Sequence, residues 1–325
     1  MKHFILLIIL FSSLSSNSQI SSYFHGDYKD FIDLKTRNLI VELLEEDPKV
    51  LKKLDKPKKL EELKEYKREI KLYNEEIVIY AKKYWTLNSI VEFKKQSEVK
   101  ALEKADNKSF AILRNLRLND IDIDFRSRLY INAIVYTRIE SNNNKPDSKV
   151  YFPVNSLKEA KLFNESDYKF CFDILQGNLN HIISNKKNIS SEDYVKQLLV
   201  VNKEIFKTKT LLVRETTIHE KVTKEDCAKE YSGKVNFVSE DEINTAVINK
   251  DKVKLVLITV PYDIIKGQIG PFGQSMLTSY KVILDCETNK IVYVFMPTGF
   301  GMMGQNITEF MIPQDFKNIT KYINK

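Results

Sequence analysis

Short runs of β-branched and aliphatic residues alternate along this chain with longer segments in which apolar residues recur every three or four positions. That alternation predicts strands interleaved with helices, an α/β architecture with a partly parallel sheet. Leu39-Ile40-Val41 and Leu211-Leu212-Val213 are unbroken apolar runs of strand length, as expected of strands covered on both faces. Val235 to Val238, Phe110 to Leu113 and Lys254 to Ile258 read as further strands. Leu60, Leu63, Tyr66, Ile70, Tyr73, Ile77, Tyr80 and Tyr84 recur at helical spacing in a segment dense in Lys and Glu, with Pro48 and Pro57 bracketing its beginning. This predicts a long amphipathic helix whose single stripe packs on its own sheet.

The pattern also echoes itself, which predicts a tandem duplication. Lys35 to Val41 is echoed by Lys207 to Val213, and Ala81-Lys82-Lys83-Tyr84 by Ala228-Lys229-Glu230-Tyr231. At a constant offset of 144, Val91-Glu92-Phe93 meets Val235-Asn236-Phe237, Ser97-Glu98-Val99 meets Asp241-Glu242-Ile243, and Phe110 to Leu113 meets Lys254 to Leu257. A hairpin follows in each half, Tyr130 to Arg138 with Val150 to Phe152, and Tyr280 to Asp285 with Ile291 to Phe295. Asp167-Tyr168-Lys169 and Asp315-Phe316-Lys317 then mark a closing helix. Each copy reads β-α-β-α-β-β-β-α. Ser239 before Glu242 and Thr223 before Asp226 are helix-starting pairs, and Glu192 to Phe206 reads as a connecting helix. The predicted organisation is a signal peptide over 1–18, a first α/β module over 20–185 carrying the inserted long helix, and a connecting helix with the second module over 186–325.

The start of the chain changes the picture of where it works. Met1-Lys2-His3 is a basic start, Phe4 to Phe11 is apolar, and Ser16 and Ser18 stand at the −3 and −1 positions of a cut before Gln19, the three-part form of a secretory signal peptide. The apolar run is too short for a membrane span, which needs about 20 residues. The mature chain is therefore expected to be exported, periplasmic or secreted, without a transmembrane segment. The formal net charge of +7 over 325 residues is spread through mixed signs, so nucleic acid is not an expected partner. Cys171, Cys227 and Cys286 are three and far apart, and the four histidines are scattered, so neither a redox pair nor a metal site is expected, and no cofactor is implied.

Candidate chemistry concentrates in the second half. Six of the nine glycines, Gly267, Gly270, Gly273, Gly299, Gly301 and Gly304, lie in two short stretches there. If the second-half hairpin pairs antiparallel, the two stretches leave the same sheet edge. Phe272, Met276, Gly299, Phe300, Gly301, Met302 and Met303 then form the expected ligand- or partner-binding surface, in which glycine backbone sits beside soft Met and aromatic side chains. Gly299 to Gly304 spells G-x-G-x-x-G but lacks the following helix and second strand of a dinucleotide site. Asp120, Asp122 and Asp124 fail the Ca²⁺-loop pattern, because Phe125 and Ile131 stand where a glycine and a bidentate Glu belong. They read as an edge strand protected by charge. His219 beside Glu220 is an acid/base candidate whose adjacency in sequence does not make the two face each other. No activated nucleophile stands out, so no catalytic residue is assigned.

Lys209 to Val213, Val235 to Ser239 followed by Glu240 to Ile243, and Lys254 to Ile258 resemble the α/β module at the N-terminus of TolB and related envelope lipoproteins. The resemblance covers about a third of the mature chain and implies protein binding in a bacterial envelope without catalysis. The chain departs from that family in lacking a lipidation cysteine and propeller repeats. Its Lys, Asn and Ile richness is similar to that of exported proteins of Bacteroidota, while sequons at Asn107, Asn164, Asn188, Asn306 and Asn318 keep a eukaryotic secreted origin open. The expected role is binding or scaffolding, toward an envelope protein or a small ligand, with a secreted hydrolase acting between the modules as the alternative.

Overall fold

Two mixed sheets with one strand order organise the computed structural model, which describes residues 22–24, 28–89, 91–117, 130–138, 148–154, 164–187, 203–265, 276–295 and 310–324. The first half runs β1 (Ser22–Phe24), α1 (Tyr28–Thr36), β2 (Asn38–Leu43), α2 (Pro48–Leu54), α3 (Leu60–Tyr84), β3 (Val91–Lys95), α4 (Gln96–Lys104), β4 (Phe110–Arg117), β5 (Tyr130–Arg138), β6 (Ser148–Val154) and α5 (Glu165–Asn185). The second runs α6 (Ile205–Thr208), β7 (Thr210–Arg214), α7 (Lys224–Lys229), β8 (Lys234–Val238), α8 (Glu240–Ile248), β9 (Lys254–Ile265), β10 (Met276–Asp285), β11 (Lys290–Phe295) and α9 (Pro313–Ile323).

The sheet orders are β1-β6-β5-β4-β2-β3 and β11-β10-β9-β7-β8. Apart from β1, which adds antiparallel to β6, order and strand directions coincide. In the first sheet Leu39 of central β2 lies opposite Val91 and Ala111 through parallel pairing. In the second, Leu211 of β7 lies opposite Val235 and Leu255 in the same way. These are the residues that echo each other in sequence. The hairpins expected over Tyr130 to Phe152 and Tyr280 to Phe295 are present as β5–β6 and β10–β11. The predicted helix starts are also present: Ser239 with Glu242, and Thr223 with Asp226, each close a capping box.

The long stripe helix is α3, and its buried Ile70, Tyr73, Ile77 and Ala81 pack into the same core as Leu39, Val41, Ala111 and Leu113 of the first sheet. It covers its own sheet, as a single stripe predicts. α4 covers the opposite face through Val99, against Ile40 and Ile112. The second sheet is covered on one face by α9 and α7, where Phe316, Ile319 and Cys227 meet Leu211, Val213, Leu255 and Leu257. α8 covers its other face through Ile243, Ala246 and Val247.

α5 joins the halves. Tyr168, Phe170, Cys171, Phe172, Ile174, Leu175, Leu179 and Ile182 are all buried, a distribution too wide for a one-sided helix. One core holds these residues together with Leu39 and Leu113 of the first sheet and Val282, Leu284 and Ile291 of the second. The layers therefore run α4, first sheet, then α1, α3, α5 and α8, then second sheet, then α7 and α9. At the far end α9 turns Gln314, Lys317 and Lys321 to solvent. Of the helix expected over Glu192 to Phe206, residues 192–202 lie outside the described part, Lys203 and Glu204 form a turn, and only Ile205 and Phe206 are helical, in the short α6. Among the described residues no helix is long and apolar enough to cross a membrane.

Candidate functional site

The connections of the second sheet decide where a site can form. β7 leads through α7 to β8 on one side, whereas β9 leads to β10 on the other. The chain thus departs in opposite directions from the carboxyl ends of neighbouring strands, and in open α/β sheets ligands bind in the crevice at that point. A polar cluster stands there on each face of the sheet.

On the face toward α5, Arg214 ends β7. Its guanidinium donates from Nη2 to Glu240 Oε1 at 2.6 Å and lies 3.7 Å from Asp167 Oδ1. Asn164 Nδ2 also donates to Glu240, and Asn244 Oδ1 accepts from the Ser166 N–H at 2.9 Å. The first turn of α5 is in this way tied to the first turn of α8. Burial pushes the carboxyls of Asp167 and Glu240 above the usual carboxylate range, with Arg214 opposing the rise in both.

On the opposite face lie Thr259, Lys281 and Asp315. Leu255 and Leu257 point into the core beneath α9, so strand alternation puts Thr259 on that face. Thr259 lies opposite Lys281 in the β9–β10 register. Lys281 is fully buried, and its Nζ donates to the Phe310 carbonyl at 3.0 Å. Asp315, in the first turn of α9, accepts from the Ile312 N–H at 3.0 Å. Burial raises its carboxyl pKa, with the Lys281 charge pulling the other way. Asp315 and Asp167 hold matching positions, each closing the N-terminal cap of the last helix of its half, and each lies near a cation from the second sheet.

β9–β10 pairing continues to Ile265 opposite Met276, while β10–β11 pairing ends at Lys281 opposite Phe295. Residues 266–275 therefore join the ends of a hairpin that outruns β11, and 296–309 connect the end of β11 to Phe310. Met276 opens β10; Phe272, Gly299, Phe300, Gly301, Met302 and Met303 lie outside the described residues, as do Asp120, Asp122 and Asp124. His219 accepts the Lys221 N–H on Nδ1 at 3.1 Å and meets the Phe310 ring edge-on. Cys171, Cys227 and Cys286 are buried and unpaired, and burial pushes the Cys227 and Cys286 thiols up to about 11 and about 12, far from thiolate chemistry. Among the described residues no group of three or more His, Cys, Asp or Glu side chains is placed to hold a metal ion.

Sequence reasoning missed Arg214, Thr259, Lys281 and Asp315. One signal was readable: Lys281 interrupts an apolar strand at an inward position, where a charge is costly unless paired. No family model, curated protein or solved structure matches this chain.

Proposed function

We propose that this protein is an exported, non-catalytic binding or scaffold component of the cell envelope, acting through the loop end of its C-terminal module. The observation that carries this reading is the hairpin register. Ile265 pairs with Met276 beyond the last β10–β11 pair, Lys281 with Phe295, so the strand ends that flank residues 266–275 and precede residue 296 lie at the sheet end where β7 and β9 diverge. The glycine, Met and Phe residues of both connections suit an adaptable apolar contact there.

The alternative hydrolase asks for carboxylates converging between the modules. Asp167 and Glu240 do converge, but both are engaged by the one guanidinium of Arg214, which leaves neither poised for proton transfer to a substrate.

The test is quantitative cross-linking of the mature protein in its native envelope, comparing wild type with the double variant Phe300→Ser, Met302→Ser. Loss of a specific cross-linked partner with unchanged melting temperature supports the reading. Unfolding of the double variant assigns these side chains to the core instead, and turnover of ester, peptide or glycoside substrates by the wild type overturns the non-catalytic assignment.

A further inference from the structure

Each sheet ends in a short strand with a single neighbour among the described residues, β3 beside β2 and β8 beside β7. The two edges are defended differently. β3 carries three charges in five residues, its Lys94 and Glu92 pair at 3.0 Å, and Lys82 of α3 stands over the Phe93 ring. Such charges keep a sheet edge from recruiting another strand. β8 has one charge, Lys234, and Phe237 stands where Phe93 does at the 144-residue offset. Lys229, which echoes Lys82, pairs instead with Asp226 at 3.7 Å. Beside β8 runs a groove of about 500 Å³ lined by Val235 to Val238 and by Lys224, Glu225 and Ala228 of α7.

The two faces of this strand differ in character. Val235 and Phe237 are half-buried and pack on the Phe316 side, while Lys234, Asn236 and Val238 alternate onto the face covered by α8. Lys234 at the start of β8 and Asp241 and Glu242 just past its end are exposed, and none of the three makes an ion pair among the described residues. Both acids belong to the first turn of α8, on the Lys234 side of the sheet. Turned about a two-fold axis normal to the sheet at Asn236, a second β8 runs antiparallel to the first. Val235 then stands opposite the partner's Phe237, and Lys234 opposite the partner's Val238, beside the acidic start of a second α8. The symmetry makes each match twice. An occupant that is apolar on one face and cationic toward α8 suits this edge, and β8 itself carries that pattern.

We infer that β8 is a self-association edge, through which two copies of this chain pair antiparallel into one continuous sheet. The contact is five residues long on each side, so association is weak, depends on concentration and is weakened by salt. It draws on none of the residues proposed for partner binding and stands independently of that role.

Sedimentation velocity of the mature protein over a wide concentration range, at low and high salt, tests the inference. A dimer that grows with concentration and recedes with salt is expected. Lys234→Glu alone, and Asp241→Lys with Glu242→Gln, which keeps the capping box, should each weaken self-association at least tenfold by setting like charges together. Mixed in equal amounts, the two variants should form a heterodimer, because each then meets opposite charge. Asn236→Lys, which places two ammonium groups at the axis, should abolish the dimer, and Lys94→Gln on β3 should leave it unchanged. Circular dichroism melts check that each variant is folded; if a charge reversal unfolds the chain, Asn236→Lys against wild type decides. A wild-type chain that is monomeric at every concentration, variants that associate as the wild type does, or folded variants that fail to form the heterodimer overturn the inference. Capture of a foreign extended peptide by a wild-type chain that stays monomeric assigns the edge to another protein and overturns self-pairing as well.

Discussion

Arg214, the last residue of β7, lies 3.7 Å from Asp167 in the first turn of α5, so a cation of the second half neutralises the helix cap of the first. Both side chains are largely buried, and Arg214 also holds Glu240 at the start of α8.

Replacing Arg214 by Met should strand two carboxylates in the seam and cost about 3–5 kcal/mol, as removal of one partner from a buried ion pair does. Adding Asp167→Asn to Arg214→Met should recover part of that loss. Urea unfolding of the single and double variants checks it; strict additivity would show that the two residues do not interact.

Because one core contains α5 together with both sheets, the halves should unfold together. Trp85, the single tryptophan, packs edge-on against Phe172 of α5. Leu284→Ala in the second sheet should destabilise by about 2–5 kcal/mol and lower the Trp85 fluorescence midpoint along with the far-UV signal. A Trp85 midpoint that stays at the wild-type value would mean the halves unfold separately.

Glu42 is buried at the end of β2, where desolvation raises its carboxyl pKa against the pull of Arg114. A folded-state value above the unfolded one means that stability contributed at low pH is lost as pH rises through the folded pKa. Glu42→Gln carries no charge to desolvate. Its stability relative to wild type should therefore be greater at pH 7 than at pH 4, as read from urea midpoints at the two values.

The buried thiols of Cys227 and Cys286, raised to about 11 and about 12, should alkylate with iodoacetamide at mildly alkaline pH only as fast as the protein opens. Mass spectrometry in native buffer and in denaturant compares the rates. Equal rates would place a thiol at the surface.

Much of the fold was legible because strand and helix identity follow from local period. The apolar triplets Leu39 to Val41 and Leu211 to Val213 read as doubly covered strands, and the spacing from Leu60 to Tyr84 traced α3 residue for residue. The position of α5 was not legible. Phe170 and Ile174 advertise a second apolar face, but which surface receives it depends on how two sheets stack. The polar clusters were hidden for a related reason: Arg214 and Asp167 are 47 residues apart and share no motif.

By itself the sequence determined the kinds and order of the elements that recur in the two halves, though not β1, α1 or α2, since each rests on side-chain periodicity and residues near in sequence. Only the tertiary structure decided that one helix serves both sheets and that Thr259, Lys281 and Asp315 share a face. The reason is that burial and electrostatic pairing depend on distances in space, set when separate apolar faces find each other, and no period along the chain encodes them.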